Sequence, residues 1–172
     1  MIAAKNSVAE SDDEQVLITR IFDAPRELVF KAWIEPEHLK RWYAPNGCTI
    51  HFLKLDVRPG GIYHCCVRSP EGHTCWCKGI YHEIVEPERI VYSALNTDED
   101  GNLVNPVEVG MDPEWPRETM VTVTFMEHEG KTKVILHQTA PKSIAKRTGA
   151  YSGWIQMLDH LAEDLKTLKA TF

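Results

Sequence analysis

Residues 49–95 decide the fold class, and they read TIHFLKLDVRPGGIYHCCVRSPEGHTCWCKGIYHEIVEPERIVYSAL. Short runs of apolar, β-branched and aromatic residues alternate here with turn-forming sequences centred on Pro59-Gly60-Gly61, on residues 69–72 and on Pro87. We therefore predict four strands, which are Ile50–Val57, Ile62–Arg68, Thr74–Val85 and Ile90–Leu95. Consecutive strands joined by tight turns form an antiparallel meander, so a doubly wound nucleotide-binding sheet is excluded.

The segments on either side of this meander indicate an α+β protein. A strand is predicted from Gln15, and two short helices follow it at Pro25 and Pro36, because the fixed φ of proline suits the first helical position. Two more strands are predicted after the meander, at residues 118–127 and 131–139. Apolar residues at three- and four-residue spacing from residue 151 to residue 168 then predict a long amphipathic helix.

Composition and charge exclude several classes of protein. The chain has 172 residues, 43% of them hydrophobic, which is typical of one globular domain. We place that domain at residues 15–172, after an acidic and flexible tail at residues 1–14. A net charge of −6 with scattered basic residues disfavours nucleic acid as a partner. No stretch approaches the ~18 apolar residues of a membrane span, and we expect a cytoplasmic protein.

Several motifs in this chain resemble those of a known family, and together they extend over roughly residues 16–168. They are FDAP (22–25), VFKAW (29–33), PEHLKRWYAP (36–45), DVRPGGIY (56–63), GIYHEIVEPERIVY (79–92), WP (115–116), TMVTVTF (119–125), GKTK (130–133) and GW (153–154). They are similar to those of homologues of the activator of the heat-shock-protein-ninety ATPase, within the START-like (SRPBCC), birch-pollen-allergen-like superfamily.

This resemblance implies a helix-grip fold, with two short helices after the first strand and an antiparallel sheet of about six to seven strands wrapped around a long C-terminal helix. It also implies a cavity between the sheet and that helix, which holds a small apolar or amphipathic ligand. The alternation of strand side chains, combined with the family's pattern, predicts the residues that bind this ligand. They are Trp42, Tyr63, Cys65, Cys77, Tyr81, Tyr92, Trp115, Phe125, Gln138, Trp154, Met157 and Leu158. The same residues could instead fill a solid core, and their large aromatic rings predict a narrowed cavity.

Four of the five cysteines lie in one predicted hairpin, at positions 65, 66, 75 and 77. A four-residue loop at 69–72 would place Cys66 opposite Cys75 and His64 opposite Cys77, all on one face, where zinc could bind. A three-residue loop would place Cys65 opposite Cys77 and lose that alignment. Flat strands position four ligands poorly around one ion, so we predict no metal and no cofactor, and we interpret the cysteines as small buried hydrophobic residues.

The function is less determined than the fold. The chain has neither a Gly-x-Ser-x-Gly elbow nor a His-Glu-x-x-His helix, so binding is favoured over catalysis. An enzyme of cyclase or hydrolase type is one alternative, in which Tyr63, Tyr81 and Gln138 orient a carbonyl group. A second alternative is a chaperone-interacting module that acts through the outer sheet or helix surface. The sequence is also compatible with a homodimer. The long connection Thr97–Pro116 is predicted either as a lid over the cavity or as a surface loop or oligomer contact.

Overall fold

A computed structural model describes residues 14–171, so residues 1–13 of the predicted tail lie outside the described residues. Within the described part, one antiparallel sheet contains seven strands. They are β1 (Gln15–Phe22), β2 (Thr49–Leu55), β3 (Ile62–Arg68), β4 (Thr74–Val85), β5 (Arg89–Thr97), β6 (Glu118–His128) and β7 (Lys131–Pro141). The strand order is β1-β7-β6-β5-β4-β3-β2, which confirms the predicted meander and places β1 and β2 at the two edges.

Four helices accompany the sheet in the described part of the chain. They are α1 (Arg26–Ile34), α2 (Pro36–Trp42), α3 (Lys142–Thr148) and α4 (Ala150–Thr171). Pro36 occupies the first position of α2, as predicted, whereas Pro25 lies at the N-cap position, one residue before α1. The sequence pattern did not reveal α3, and Gly149 separates it from α4 by adopting a left-handed conformation. None of the described helices is long and apolar enough to cross a membrane.

The long helix α4 lies toward the end of the sheet formed by β1, β7 and β6, because Asp159 pairs with Arg20 of β1 and Trp154 contacts Gln138 of β7. Inward side chains of these strands are buried at every second position, as a half-buried sheet requires. The indole N–H of Trp154 donates a hydrogen bond of 2.9 Å to Oε1 of Gln138, and Gln138 in turn donates to Oγ1 of Thr119 at 3.1 Å. The chain therefore has the predicted helix-grip fold, in which α4 is tied to β6 and β7 through this buried chain of polar groups.

The connection between β5 and β6 has structure of its own. Thr97 forms a β-bridge with Leu103, and a 3₁₀ helix follows at Pro106–Val109. Further along, Arg147 of α3 donates hydrogen bonds to the carboxylates of Asp112 at 3.0 and 3.1 Å and of Glu114 at 2.8 Å. The connection is thus attached to α3 by ion pairs.

Candidate functional site

A cavity of about 20 Å³ lies between the β2–β5 half of the sheet and the segment containing α1 and α2. This volume has room for about one water molecule. Large side chains fill most of the space around it. The lining residues are Trp33, Leu39, Tyr43, Phe52, Tyr63, Cys65, Tyr81, Ile90 and Tyr92. Six of these nine residues are aromatic, which makes the wall predominantly apolar with a few polar tips.

The strand registers place three tyrosines together in this wall. Tyr63 on β3 has Gly79 of β4 as its cross-strand partner, and Tyr81 on β4 is paired with Tyr92 on β5. Because Gly79 has no side chain, the ring of Tyr63 can lie across β4. The centroids of the three tyrosine rings are 5.7 to 6.0 Å apart, so the rings contact one another in a cluster.

Hydrogen bonds fix three of the four tyrosine hydroxyls in the wall. The hydroxyl of Tyr43, which directly follows α2, shares a hydrogen bond with the hydroxyl of Tyr92. The hydroxyl of Tyr63 donates to the carbonyl oxygen of Ser93 at 2.8 Å. The first bond connects the end of α2 to β5, and the second connects β3 to β5. The three tyrosines of the wall that take part in them are therefore held in one arrangement.

The acidic groups around the cavity are protonated at neutral pH, and burial extends this neutral state to higher pH. Burial is the main cause that raises the pKa values of the phenols of Tyr43, Tyr63, Tyr81 and Tyr92 and of the thiol of Cys65. Burial likewise raises the pKa of Cys77 to about 11. The lining residues include no carboxylate, imidazole or ammonium group. The site can therefore hold and orient a neutral molecule, but its lining offers no charged group as a base or nucleophile.

Four residues of the predicted binding set line this cavity, and they are Tyr63, Cys65, Tyr81 and Tyr92. Cys77 is adjacent, with its sulfur 3.8 Å from the hydroxyl of Tyr63. The structure places the remaining seven outside the lining. They are Trp42, Trp115, Phe125, Gln138, Trp154, Met157 and Leu158.

This cavity does not lie against the C-terminal helix, where the ligand cavity was predicted. The wall opposite the sheet comes from α1, α2 and Tyr43 instead of α4. The reason is steric, because the ring of Tyr43 packs edge-on against Trp154, with centroids 5.9 Å apart, and stands between α4 and the cavity. Phe125 belongs to the solid core, where it packs on Phe30 with ring centroids 5.1 Å apart. No residue of the β5–β6 connection lines the cavity either.

Sequence reasoning missed five lining residues, namely Trp33, Leu39, Tyr43, Phe52 and Ile90. The helical spacing of Trp33 and Leu39 indicated that they are buried, but it carried no information on the surface they face. Phe52 and Ile90 lie in predicted strands, and strand alternation could have identified them once the inward face was known. Tyr43 follows the end of α2, where no periodic pattern fixes its direction.

The hairpin of β3 and β4 has the register of a three-residue loop. Arg68 is paired with Thr74, the N–H of Ser69 donates to the carbonyl of His73 at 2.9 Å, and Cys65 lies opposite Cys77. Successive residues of a strand face opposite sides, so His64 and Cys66 lie on the outer face while Cys75 and Cys77 lie on the inner face. The arrangement of His64, Cys66, Cys75 and Cys77 that zinc would need is therefore not formed. The described residues contain no group of three or more His, Cys, Asp or Glu placed to hold a metal ion.

The sequence of this chain also matches a family model, described as activator of Hsp90 ATPase homolog 1-like protein, over residues 23–166. The chain belongs to this family. The match extends from the end of β1 into α4 and includes every residue of the cavity wall. Among curated proteins, no relative matches the chain.

Solved structures of several bacterial proteins resemble this member of the activator-homologue family. A protein from Chromobacterium violaceum is 26% identical, with a TM-score of 0.72, over 87% of this chain and 94% of that one. A protein from Staphylococcus epidermidis is 22% identical, with a TM-score of 0.73, over 90% and 91% of the two chains. An AHSA1 protein from Silicibacter pomeroyi is 18% identical, with a TM-score of 0.71, over 89% and 98%. The last two share the fold, and their low identity supports no statement about function.

Proposed function

We propose that this protein binds a small, largely apolar molecule in the cavity between β2–β5 and the α1–α2 segment. The observation that carries the proposal is the wall itself, in which aromatic side chains from five separate elements and from Tyr43 converge on one opening. Such walls, mainly apolar with a few oriented polar groups, are typical of small-molecule sites. The neutral state of the surrounding phenols and thiols favours binding over catalysis. The cytoplasmic location expected from the sequence belongs to the same proposal.

The volume of the cavity restricts the ligand and requires one wall to move. An opening of about 20 Å³ is smaller than an aromatic ring, so the bound state needs outward displacement of a wall residue. Phe52 is suited to this, because it is half-buried on the edge strand β2, which pairs with β3 alone. The pairing of β2 with β3 is irregular between Phe52 and Lys54. Edge strands with disrupted pairing open more readily than central strands, so we expect β2 to admit the ligand.

A variant that fills the cavity tests this proposal. In Cys65→Leu the larger side chain occupies the opening, and we expect the Kd for toluene to rise at least about tenfold, which corresponds to about 1.4 kcal/mol. Cys75→Leu is the matched control, because Cys75 is exposed on the same hairpin and does not line the cavity. Calorimetric titration measures both values, and native mass spectrometry of freshly purified protein shows any organic molecule that it already carries. Equal toluene affinity in Cys65→Leu and the unmodified protein would contradict the proposal.

Contact with a chaperone through the outer sheet face is a second candidate, favoured by the description of the matching family. Ile62 and Ile80 lie directly opposite each other on the outer face of β3 and β4, and each is 40% exposed. If this pair contacts a chaperone ATPase, the purified protein should change the rate of ATP hydrolysis, and Ile80→Glu should remove the change. An unaltered rate with the unmodified protein would eliminate this candidate.

A further inference from the structure

One residue of the cavity wall carries a buried hydrogen-bond donor that has no acceptor. Three buried side-chain nitrogen or oxygen atoms in the described residues lack a hydrogen-bond partner. They are Nε of Arg26, Nε1 of Trp33 and Oδ2 of Asp164. Of these residues, Trp33 lines the cavity, and it is 2% exposed. A buried donor without an acceptor costs about 1–3 kcal/mol, and folded proteins rarely tolerate one without a reason.

The other buried tryptophans near this site show what a satisfied indole looks like. The indole N–H of Trp42 donates to the carbonyl of Ala32 at 3.0 Å, and that of Trp154 donates to Gln138 at 2.9 Å. Trp33 is in contact with Trp42 itself, with ring centroids 4.6 Å apart. Of three neighbouring indoles, the one that lines the cavity is the one without an acceptor.

The surroundings of Trp33 prevent its ring from turning toward another acceptor. Trp42, Phe125 and Tyr43 pack edge-to-face against the ring at interplanar angles of 67°, 80° and 82°, with centroid distances of 4.6, 6.1 and 6.2 Å. The hydroxyls of Tyr43 and Tyr92 are engaged with each other. The ring is thus held in place with no oxygen or nitrogen atom of the described residues accepting from Nε1, so a bound molecule with an acceptor would satisfy this donor.

We propose that the cavity takes a neutral aromatic molecule with a carbonyl group, and that Nε1–H of Trp33 donates a hydrogen bond to the carbonyl oxygen. This rests on the proposed ligand-binding function and narrows it to one chemical class. The aromatic part of the ligand packs against the rings of Tyr63, Tyr81 and Tyr92. The ligand is neutral because the lining has no charged side chain to offset the cost of burying an ion.

Two probes of nearly the same shape test the role of Trp33. Acetophenone carries the carbonyl group, and α-methylstyrene replaces the C=O with C=CH₂. We measure both Kd values by calorimetric titration for the unmodified protein and for Trp33→Phe. In the unmodified protein the Trp33 donor should favour acetophenone, so the α-methylstyrene Kd should exceed the acetophenone Kd. The ratio of these two Kd values should be about tenfold lower in Trp33→Phe than in the unmodified protein, because the variant lacks the donor that distinguishes the probes.

Trp76→Phe is the matched control, because Trp76 is paired with Cys66 on the outer face of the sheet and does not line the cavity, and it should keep the ratio of the unmodified protein. A second measurement needs no variant. Acetophenone should shift the indole N–H resonance of Trp33 downfield in the NMR spectrum of the unmodified protein, and α-methylstyrene should not.

The outcomes separate this inference from the proposed function. If both probes bind and the ratio is the same in Trp33→Phe, or if the Trp33 resonance responds equally to both, the carbonyl inference is wrong while the ligand-binding function stands. If neither probe nor toluene binds the unmodified protein, both are wrong.

Discussion

Raising the pH above about 10 should unfold the protein cooperatively, because the fold holds six acidic groups around the cavity in their protonated form. Burial raises the pKa of each group above its value in an unfolded chain. The six groups are the phenols of Tyr43, Tyr63, Tyr81 and Tyr92 and the thiols of Cys65 and Cys77. Their stabilising contribution is fully present below the unfolded pKa values, about 8.5 for cysteine and 10 for tyrosine, and it is lost as the pH rises toward the folded values.

The expected effect is as large as the stability of a whole domain. Each group lowers the free energy of unfolding by about 1.4 kcal/mol per pH unit between its unfolded and folded pKa values. The six contributions have the same sign, so together they lower it by on the order of several kcal/mol per unit above pH 10, whereas domains are typically stable by about 5–15 kcal/mol. The contribution of Cys77 stops growing near its folded pKa of about 11. We therefore expect stability to fall steeply, and the protein to unfold, as the pH rises above roughly 10.

Urea titrations followed by circular dichroism at a series of pH values measure this loss. Tyr81→Phe removes one of the titrating groups, so the slope of unfolding free energy against pH above 10 should fall by about 1.4 kcal/mol per unit. Trp33→Phe is the control, because Trp33 lies in the same wall and has no titratable group. This substitution should change the free energy of unfolding by the same amount at every pH. A free energy of unfolding that stays constant from pH 9 to 11 would mean that water reaches the phenols in the folded protein, so that the cavity is open.

The strands of the sheet could be predicted from the sequence because residues close together along the chain determine where each strand begins and ends. β3 and β4 begin and end where the sequence pattern placed them, at Ile62–Arg68 and Thr74–Val85, since alternation and the intervening turn fix both strands. The same alternation, combined with the family's pattern, placed Tyr63, Cys65, Tyr81 and Tyr92 on the inward face, and all four line the cavity. In these cases each side chain's direction follows from its neighbours along one strand.

The far wall of the cavity could not be predicted, because it depends on contacts between distant segments. Tyr43 meets Tyr92 across 49 positions of sequence, and this contact displaces α4 from the cavity. The donor of Trp33 has a similar origin. Its helical spacing predicts burial, whereas the absence of an acceptor becomes visible only when α1, α2 and the sheet are assembled. Periodicity indicates which face of an element is buried, but not which element covers it.

Gly79→Ala should be among the most destabilising single substitutions in the sheet, at a cost above about 4 kcal/mol. A methyl group on Gly79 would overlap the carbonyl oxygen of Ser93 and lie 2.7 Å from Cε1 of Tyr63. Neither neighbour can yield easily. The Ser93 carbonyl belongs to the adjacent strand β5 and accepts the hydrogen bond of Tyr63, while the hydroxyl of Ser93 accepts from the N–H of Ile80 at 3.1 Å. Either β4 separates from β5 or the Tyr63 ring leaves the wall.

Chemical denaturation of two further variants separates the causes. Gly72→Ala is the matched control, because no atom lies within 4 Å of its added methyl group and its φ of +92° alone should cost about 1 kcal/mol. In the double variant Tyr63→Ala/Gly79→Ala the clash with the ring is gone and the clash with the Ser93 carbonyl persists, so we expect no recovery of stability. Equal losses in Gly79→Ala and Gly72→Ala would contradict the close approach of β4 and β5. Recovery in the double variant would instead place the constraint in the Tyr63 ring, because the strands could then accommodate a methyl group at Gly79.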